Sequence, residues 1–193
     1  RHTRYWRDWS SDVCSSDLVA DAMNLLIAAV TAFLVWLTLR FVRGVPERDG
    51  VPMSADMRLA ARAGLILLVW SCALGFWATW HGERQLAVGR PPELYGAAGV
   101  TKFAHGAAIH ALQWLPALAW LGRRRGLAPE SRLRIVGRGV LASVLVALAS
   151  LLQVLLGRSR LDVAPLTLAL FLAAAGCGFA AAITLASGRP RPG

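Results

Sequence analysis

The sequence predicts an all-α integral membrane protein, a bundle of five transmembrane helices. Apolar residues make up 56% of the 193-residue chain, only 17% of its residues are charged, and the apolar residues are gathered into five long runs. A helix needs about 20 apolar residues to cross a hydrocarbon core of ~30 Å. The predicted spans are residues 22–42, 60–80, 103–121, 135–156 and 164–186.

Residues 1–18, which precede the first span, are polar and unlike the rest of the chain. Residues 12–18 read Asp-Val-Cys-Ser-Ser-Asp-Leu, the translation of GACGTGTGCTCTTCCGATCT, which resembles the end of a sequencing adapter. We therefore expect residues 1–18 to be a disordered read-through scar, with a genuine disordered tail as the alternative. Residues 19–187 then form one transmembrane domain, the C-terminal part of a larger protein, and residues 188–193 a disordered tail.

The helix ends have recognisable signals in the sequence. Ser54 is of a residue type that caps the start of a helix, here the second, and Asp162 could cap the fifth. Gly126 suits the end of the third helix, because glycine readily adopts the left-handed conformation that stops a helix. Pro129 suits the first turn of an interfacial extension that leads into the fourth helix, and Pro165 suits the first turn of the fifth, where a missing N–H costs nothing.

The basic residues predict the orientation of the spans, because cytoplasmic loops carry the lysine and arginine excess. Arginines concentrate in the first and third loops, which places the N-terminus outside and the C-terminus inside. The same placement explains the net charge of +10 without nucleic-acid binding, which we exclude. Lys102 is the only lysine among 21 basic residues, a bias typical of a GC-rich bacterial genome and hence of a bacterial cytoplasmic membrane. The arginines of the third loop include Arg123, Arg124 and Arg125.

Small residues crowd the fifth span from Ala173 to Ala182. Such residues let helix backbones approach closely in membranes. Packing within the bundle is the preferred interpretation, and a homo-oligomer interface is the alternative. The five tryptophans of the second and third spans are expected to be interface anchors or packing groups. They are Trp70, Trp77, Trp80, Trp114 and Trp120.

The third span carries the residues of chemical interest. At 100° per residue, His105, Gln113 and His110 fall at about 0°, 80° and 140° around the helix, so one side is polar. That side should avoid lipid and line a pocket, which we expect to open toward the outer leaflet. Pro116 cannot donate a hydrogen bond to the carbonyl of Leu112, so it should kink the helix there.

The segment from Lys102 to Pro116 also resembles a known pattern. Its basic-x-x-H-x-x-x-x-H-A-L-Q-x-L-P order resembles a helix found in a family of uncharacterised bacterial multi-pass membrane proteins. The resemblance extends loosely back through the second span and the loop after it. The resemblance implies further helices upstream. It also implies that His105, His110 and Gln113 belong to one motif, but it implies no activity.

Three interpretations of these side chains stay open. His105 and His110 lie about 7.5 Å apart along one helix and 140° around it, so they cannot both bind one iron. His81 and His105, on different spans, could hold b-type haem or a metal as a redox centre. The imidazoles could instead relay or sense protons, or simply join a hydrogen-bonded cluster that positions the helices.

Other chemistry finds little support, so we expect no cofactor and no enzymatic activity. Cys72 and Cys177 belong to no Cys-x-x-Cys motif, and a disulfide between them has no positive evidence. The spans contain no Asp or Glu, no Gly-x-Ser-x-Gly and no phosphate-binding loop. The sequence therefore predicts a non-enzymatic membrane protein that serves sensing or small-solute passage, with a membrane redox protein as the alternative. Its expected partners are the lipid bilayer and an unknown small ligand.

Overall fold

The computed structural model of the chain describes residues 13–44, 52–91, 102–159 and 161–188. They form two units, divided between Leu37 and Thr38. Helix is the only regular secondary structure in these ranges, as expected for an all-α protein. The helices are α1 (Val13–Arg43), α2 (Ala55–Ala87), α3 (Lys102–Ile109), α4 (Ala111–Arg124), α5 (Pro129–Leu155) and α6 (Pro165–Ser187).

Four of these helices are long and apolar enough to cross a membrane: α1 from Asp21 onward, α2, α5 and α6. Their length and composition agree with the predicted membrane protein. The predicted third span is different, because the structure divides it at His110 into α3 and α4. At ~1.5 Å per residue these pieces rise only about 12 and 21 Å, so neither crosses a membrane alone.

The helix boundaries correct several details of the prediction. α1 is described from Val13 onward, and residues 1–12 lie outside the described ranges. The interpretation of residues 1–18 as a scar stays a prediction. α2 is longer than the predicted span at both ends, since polar residues at each end continue the helix beyond its apolar stretch. The expected tail also lies outside the described ranges, apart from Gly188.

The predicted helix starts are confirmed at Pro129 and Pro165, which occupy the first turns of α5 and α6. Ser54 precedes α2 as its N-cap residue, although its side chain makes no capping hydrogen bond. Asp162 is not the N-cap of α6. The helix starts at Pro165, so the N-cap position is occupied by Ala164. The carboxylate of Asp162 instead pairs with Arg158, 2.9 Å away.

Gly126 ends α4 as predicted. Its φ is +67°, and its N–H donates to the Arg123 carbonyl while the Leu127 N–H donates to the carbonyl of Gly122. This pair of bonds is a Schellman motif, which satisfies two of the carbonyls that the helix end leaves free. The turn returns the chain directly into α5.

Within the second unit, α2 packs against α3, α4 and α5, while α3 and α4 also pack against α5 and α6 packs mainly on α5. Alanine dominates the core, which brings the helix axes close together. α6 turns Thr167, Ala174 and Ala181 inward. Part of its small-residue set therefore serves packing within the chain. The main core cluster is Ala60, Leu67, Ala108, Ala111, Leu115, Ala119, Val136 and Ala147.

Candidate functional site

The interruption of the third span at His110 is the centre of the candidate site. His110 has φ −79° and ψ −10°, and its carbonyl accepts hydrogen bonds from the N–H groups of both Gln113, at 3.0 Å, and Trp114, at 3.2 Å. The bond from Gln113 spans three residues, so the turn is locally tighter than an α-helix. Pro116 lies within α4, so the predicted kink residue is helical and the break precedes it.

His105, on α3, binds Ser71 of α2 through two sets of atoms. The Nδ1 atom of His105 lies 2.7 Å from the carbonyl oxygen of Ser71 and 2.9 Å from its hydroxyl oxygen. In return, the Ser71 hydroxyl donates to the carbonyl of His105 at 2.9 Å. Ser71 is fully buried. We call this arrangement the Ser71–His105 clamp.

The clamp fixes the tautomer of the imidazole. A carbonyl oxygen only accepts hydrogen bonds, so Nδ1 of His105 must carry the proton that it shares with the Ser71 carbonyl. In neutral imidazole this leaves Nε2 as an acceptor. The ring edge lies against Gly75, where an added Cβ would stand 3.3 Å from Nδ1 and Cε1. The missing side chain at Gly75 thus makes room for the imidazole.

His110 and Gln113 form a separate group. The Nδ1 atom of His110 lies 2.9 Å from Oε1 of Gln113, and both side chains are exposed. His105 in contrast is only partly exposed and faces α2. The structure therefore divides the three predicted pocket residues between a helix contact and an exposed surface. A pocket shared by all three stays a prediction.

His81 lies further along α2 than the clamp. From Ser71 to His81 the helix rises about 15 Å and turns by about 280°. Its Nε2 atom is buried and has no hydrogen-bond partner. Two axial histidines need ring nitrogens that face one iron from opposite sides. The different levels and directions of the two residues on α2 do not favour such a site, and in the described ranges no three His, Cys, Asp or Glu side chains form a metal-binding group.

Cys72 and Cys177 are both free and half-buried. Their thiols therefore act as small packing groups in this structure.

Asp56 forms an ionic cluster with arginines at one end of the bundle. Its carboxylate is almost fully buried and lies 3.5 Å from Nε of Arg123 and 3.8 Å from Nε of Arg132. Arg123 also donates to the Ser54 hydroxyl. The cluster joins the start of α2, the end of α4 and the start of α5. Of the three predicted topology residues, Arg123 has this structural role as well.

Other arginines donate to main-chain carbonyls of neighbouring helices, two of them in the last turn of the helix. Arg62 donates to the Phe41 carbonyl at 2.7 Å, and Arg125 donates to the Leu185 carbonyl at 2.9 Å. Arg138 donates to the Ala180 carbonyl at 2.9 Å. The end of a helix carries partial negative charge and unpaired carbonyls, so a guanidinium is well placed there. These arginines tie neighbouring helices together.

Two tryptophan–arginine pairs lie toward opposite ends of the bundle. Arg84 stacks over Trp80 near the C-terminal end of α2, with its guanidinium carbon 4.3 Å from a ring centroid, and Arg124 stacks over Trp120 on α4 at 5.0 Å. The antiparallel contacts of α2 with α3 and α4 place Trp120 at the level of Asp56. From Asp56 to Trp80 the helix rises about 36 Å, close to a ~30 Å hydrocarbon core with its interfaces.

The sequence analysis missed two buried polar residues, Ser71 and Gln153. Gln153 is 1% exposed, and its amide donates to the carbonyls of Ser159 and Asp162 while its oxygen accepts from the Ala164 N–H, 3.4 Å away. A signal for Ser71 was present, because Gly64, Ser71 and Gly75 fall within about 40° on α2 and form a small-residue stripe. Gln153 had no such signal, since its partners are main-chain atoms of a turn.

The chain matches no protein-family model, no curated protein and no solved structure.

Proposed function

We propose that this is a proton-responsive, non-enzymatic membrane protein in which the Ser71–His105 clamp is the sensing element. The observation that carries the proposal is the single imidazole held between two helices by a carbonyl and a hydroxyl. The proposal also places the protein in a bacterial cytoplasmic membrane with five spans, N-terminus out and C-terminus in. The resemblance of the Lys102–Pro116 segment to bacterial multi-pass proteins is consistent with this placement.

The fifth span of the proposal consists of α3 and α4 together. They run from Lys102 to Arg124 with one residue between them, and they rise about 33 Å if treated as continuous. α4 and α5 meet at the arginine-rich end, and the Asp56 cluster lies there as well. The positive-inside rule supports assigning this end to the cytoplasm.

The levels of the helices support a position for the clamp deep in the membrane. Asp56 lies at one tryptophan–arginine level, and Ser71 lies about 22 Å further along α2. From Ser71 to Trp80, at the other level, the helix rises about 14 Å. The clamp therefore lies between the two levels, somewhat toward the outer one. The proposed position of the clamp is therefore deeper in the membrane than the predicted pocket, which was expected to open toward the outer leaflet.

The physical basis of sensing is the cost of charge at this depth. Imidazole is the side chain that ordinarily gains a proton between pH 5 and 8. A charged side chain at the centre of a span costs about 3 kcal/mol or more. Proton uptake by His105 would therefore weaken the packed arrangement and favour one in which the ring reaches water or headgroups.

Among the described helices packed against α3, α2 and α5 offer no acidic side chain that would compensate this charge. Of the helices packed against α3, α2 has no ionisable Asp, Glu, Lys or Arg between Arg62 and Glu83, and α5 has none between Arg138 and Arg158. Cys72 and His81 are the only other titratable groups within that stretch of α2, and Lys102 is the charged residue of α3 itself. The neutral clamp should thus be favoured at high pH and the open form at low pH.

The experiment measures the separation of α2 and α3 as a function of pH. Spin labels are attached at Thr79→Cys and Ala107→Cys in a chain whose native cysteines are replaced by Ala. Pulsed electron–electron double resonance in lipid nanodiscs then measures the distance between the two labels. We expect longer or broader distances at pH 5.5 than at pH 8. In His105→Gln, which keeps an N–H donor but does not titrate, the distances should not change with pH.

His110→Gln is the matched control, since it removes an exposed imidazole on the same span. The control should respond to pH as the unmodified chain does. A pH response that persists in His105→Gln, a response that disappears in His110→Gln, or no response in the unmodified chain would contradict the proposal.

A further inference from the structure

One side of the third span carries small and polar residues that α2, α5 and α6, the other long helices of the second unit, leave exposed. A Cβ built at Gly106 has nothing within 4 Å, and His110, Gln113, Ala117 and Trp120 are exposed. Successive members are three or four residues apart, so they follow one side of α3 and α4. We call this set the Gly106–Trp120 stripe. It is distinct from the Ser71–His105 clamp, which faces α2.

The polar members of the stripe lie deep between the two tryptophan–arginine levels. The contact of Leu112 with Gly64 places His110 near the level of Ile66. That level is about 15 Å from Asp56 and 21 Å from Trp80 along α2. An imidazole and an amide exposed to acyl chains at this depth would be costly, so another polar partner should cover them.

The donors and acceptors that His110 and Gln113 do not use on each other could pair with those of a second copy of the same chain. Oε1 of Gln113 can only accept, so the bond at 2.9 Å places the His110 proton on Nδ1. This leaves the Nε2 acceptor of His110 and the NH₂ donors of Gln113 available. Across a two-fold axis, the amide of one copy can donate to the imidazole of the other, and the reverse bond forms by symmetry.

We propose that a second copy of this chain docks along the Gly106–Trp120 stripe and forms a two-fold dimer in the membrane. Gly106 and Ala117 would allow close approach of the two helices on either side of the hydrogen-bonded pair. The central contacts are the reciprocal Gln113–His110 hydrogen bonds. The proposal does not depend on proton sensing by His105.

The first test measures association of donor- and acceptor-labelled copies by energy transfer in liposomes, over a range of protein-to-lipid ratios. We expect dimers, with at least tenfold weaker association for Gly106→Leu and for Gln113→Leu. Gly176→Leu is the matched control, because Gly176 is exposed on α6 and also has nothing within 4 Å of an added Cβ. It should associate as the unmodified chain does.

The second test does not require a destabilising substitution. In a chain whose native cysteines are Ala, Gln113→Cys should form an intermolecular disulfide on mild oxidation. Leu172→Cys, on the exposed side of α6, should not. Three results would overturn the proposal: a monomer at all protein-to-lipid ratios, crosslinking only at position 172, or loss of association only in Gly176→Leu. Either of the last two would assign the dimer interface to α6.

Discussion

Gly64 lets α2 touch the backbone of α4 at Leu112. A Cβ added to Gly64 would stand 2.7 Å from Cα of Leu112 and 3.0 Å from its Cδ1. The contact lies just after the turn at His110, so the closest approach of the two helices coincides with the interruption of the third span. The glycine thereby fixes the position of α4 against α2 next to the candidate site.

Gly64→Ala should destabilise the fold. A backbone atom cannot rotate away as a side chain can, so the helices must separate, at a cost of about 1–3 kcal/mol. Thermal unfolding followed by circular dichroism in detergent measures the effect. Gly176→Ala, where the added methyl meets nothing within 4 Å, is the control and should not lose stability. An equal effect of the two substitutions would contradict the close contact.

Ser71→Ala should weaken the packing of α3 against α2. The His105 carbonyl loses its hydroxyl donor, and interhelical hydrogen bonds in membranes contribute about 0.6–1.7 kcal/mol. Thr79→Ala is the control on the same helix, because the exposed Thr79 hydroxyl donates only to Gly75 of its own helix, at 3.2 Å. Unfolding in mixed detergent micelles should shift for Ser71→Ala and hardly for Thr79→Ala. No difference between them would argue against the clamp.

Asp56→Asn should destabilise the bundle by about 1–3 kcal/mol, because two arginines lose a buried carboxylate partner. Arg123 is partly exposed and can turn to water, which limits the loss. Asp162→Asn removes the carboxylate of an exposed pair with Arg158, and exposed pairs contribute about 0–1 kcal/mol. The midpoints of thermal unfolding should therefore separate the two variants. A larger effect at Asp162 would contradict the burial of Asp56.

Gln153→Leu should loosen the turn between α5 and α6. It leaves two main-chain carbonyls and one N–H without their partners, each a loss of about 1–3 kcal/mol if water does not replace it. Hydrogen exchange measured by mass spectrometry should rise at the amide of Ala164, with α2 unchanged. Ser187→Ala, which removes an exposed hydroxyl bound to its own helix, is the control. Unchanged exchange near Ala164 would contradict this function of Gln153.

The purified chain should retain no haem, and hence show no Soret band, after incubation with haem and removal of the unbound haem. His105 is held by Ser71, and His81 lies about 15 Å further along α2 in a different direction. Absorption spectroscopy in detergent measures this. A band that appears with haem and is lost in both His81→Ala and His105→Ala would show that the two imidazoles come together, and would favour the redox alternative.

The sequence by itself determined the membrane class, the all-α fold and the positions of four long apolar helices, because apolar composition over about 20 residues is a local property. It also located the ends at Gly126, Pro129 and Pro165, where the conformational limits of one residue decide the outcome. It could not locate the break at His110, since His110 is helix-compatible and the close approach of Gly64 belongs to another helix.

Only the tertiary structure decided which polar groups meet. Sequence spacing placed His105, His110 and Gln113 on one helix, but the partner of His105 is 34 residues away on α2. Arg123 was recognised for its charge, whereas its contacts with Ser54 and Asp56 depend on the antiparallel packing of α2 and α4. Hydrophobicity is additive along the chain and can be read there, while a hydrogen bond between helices requires both positions and directions in space.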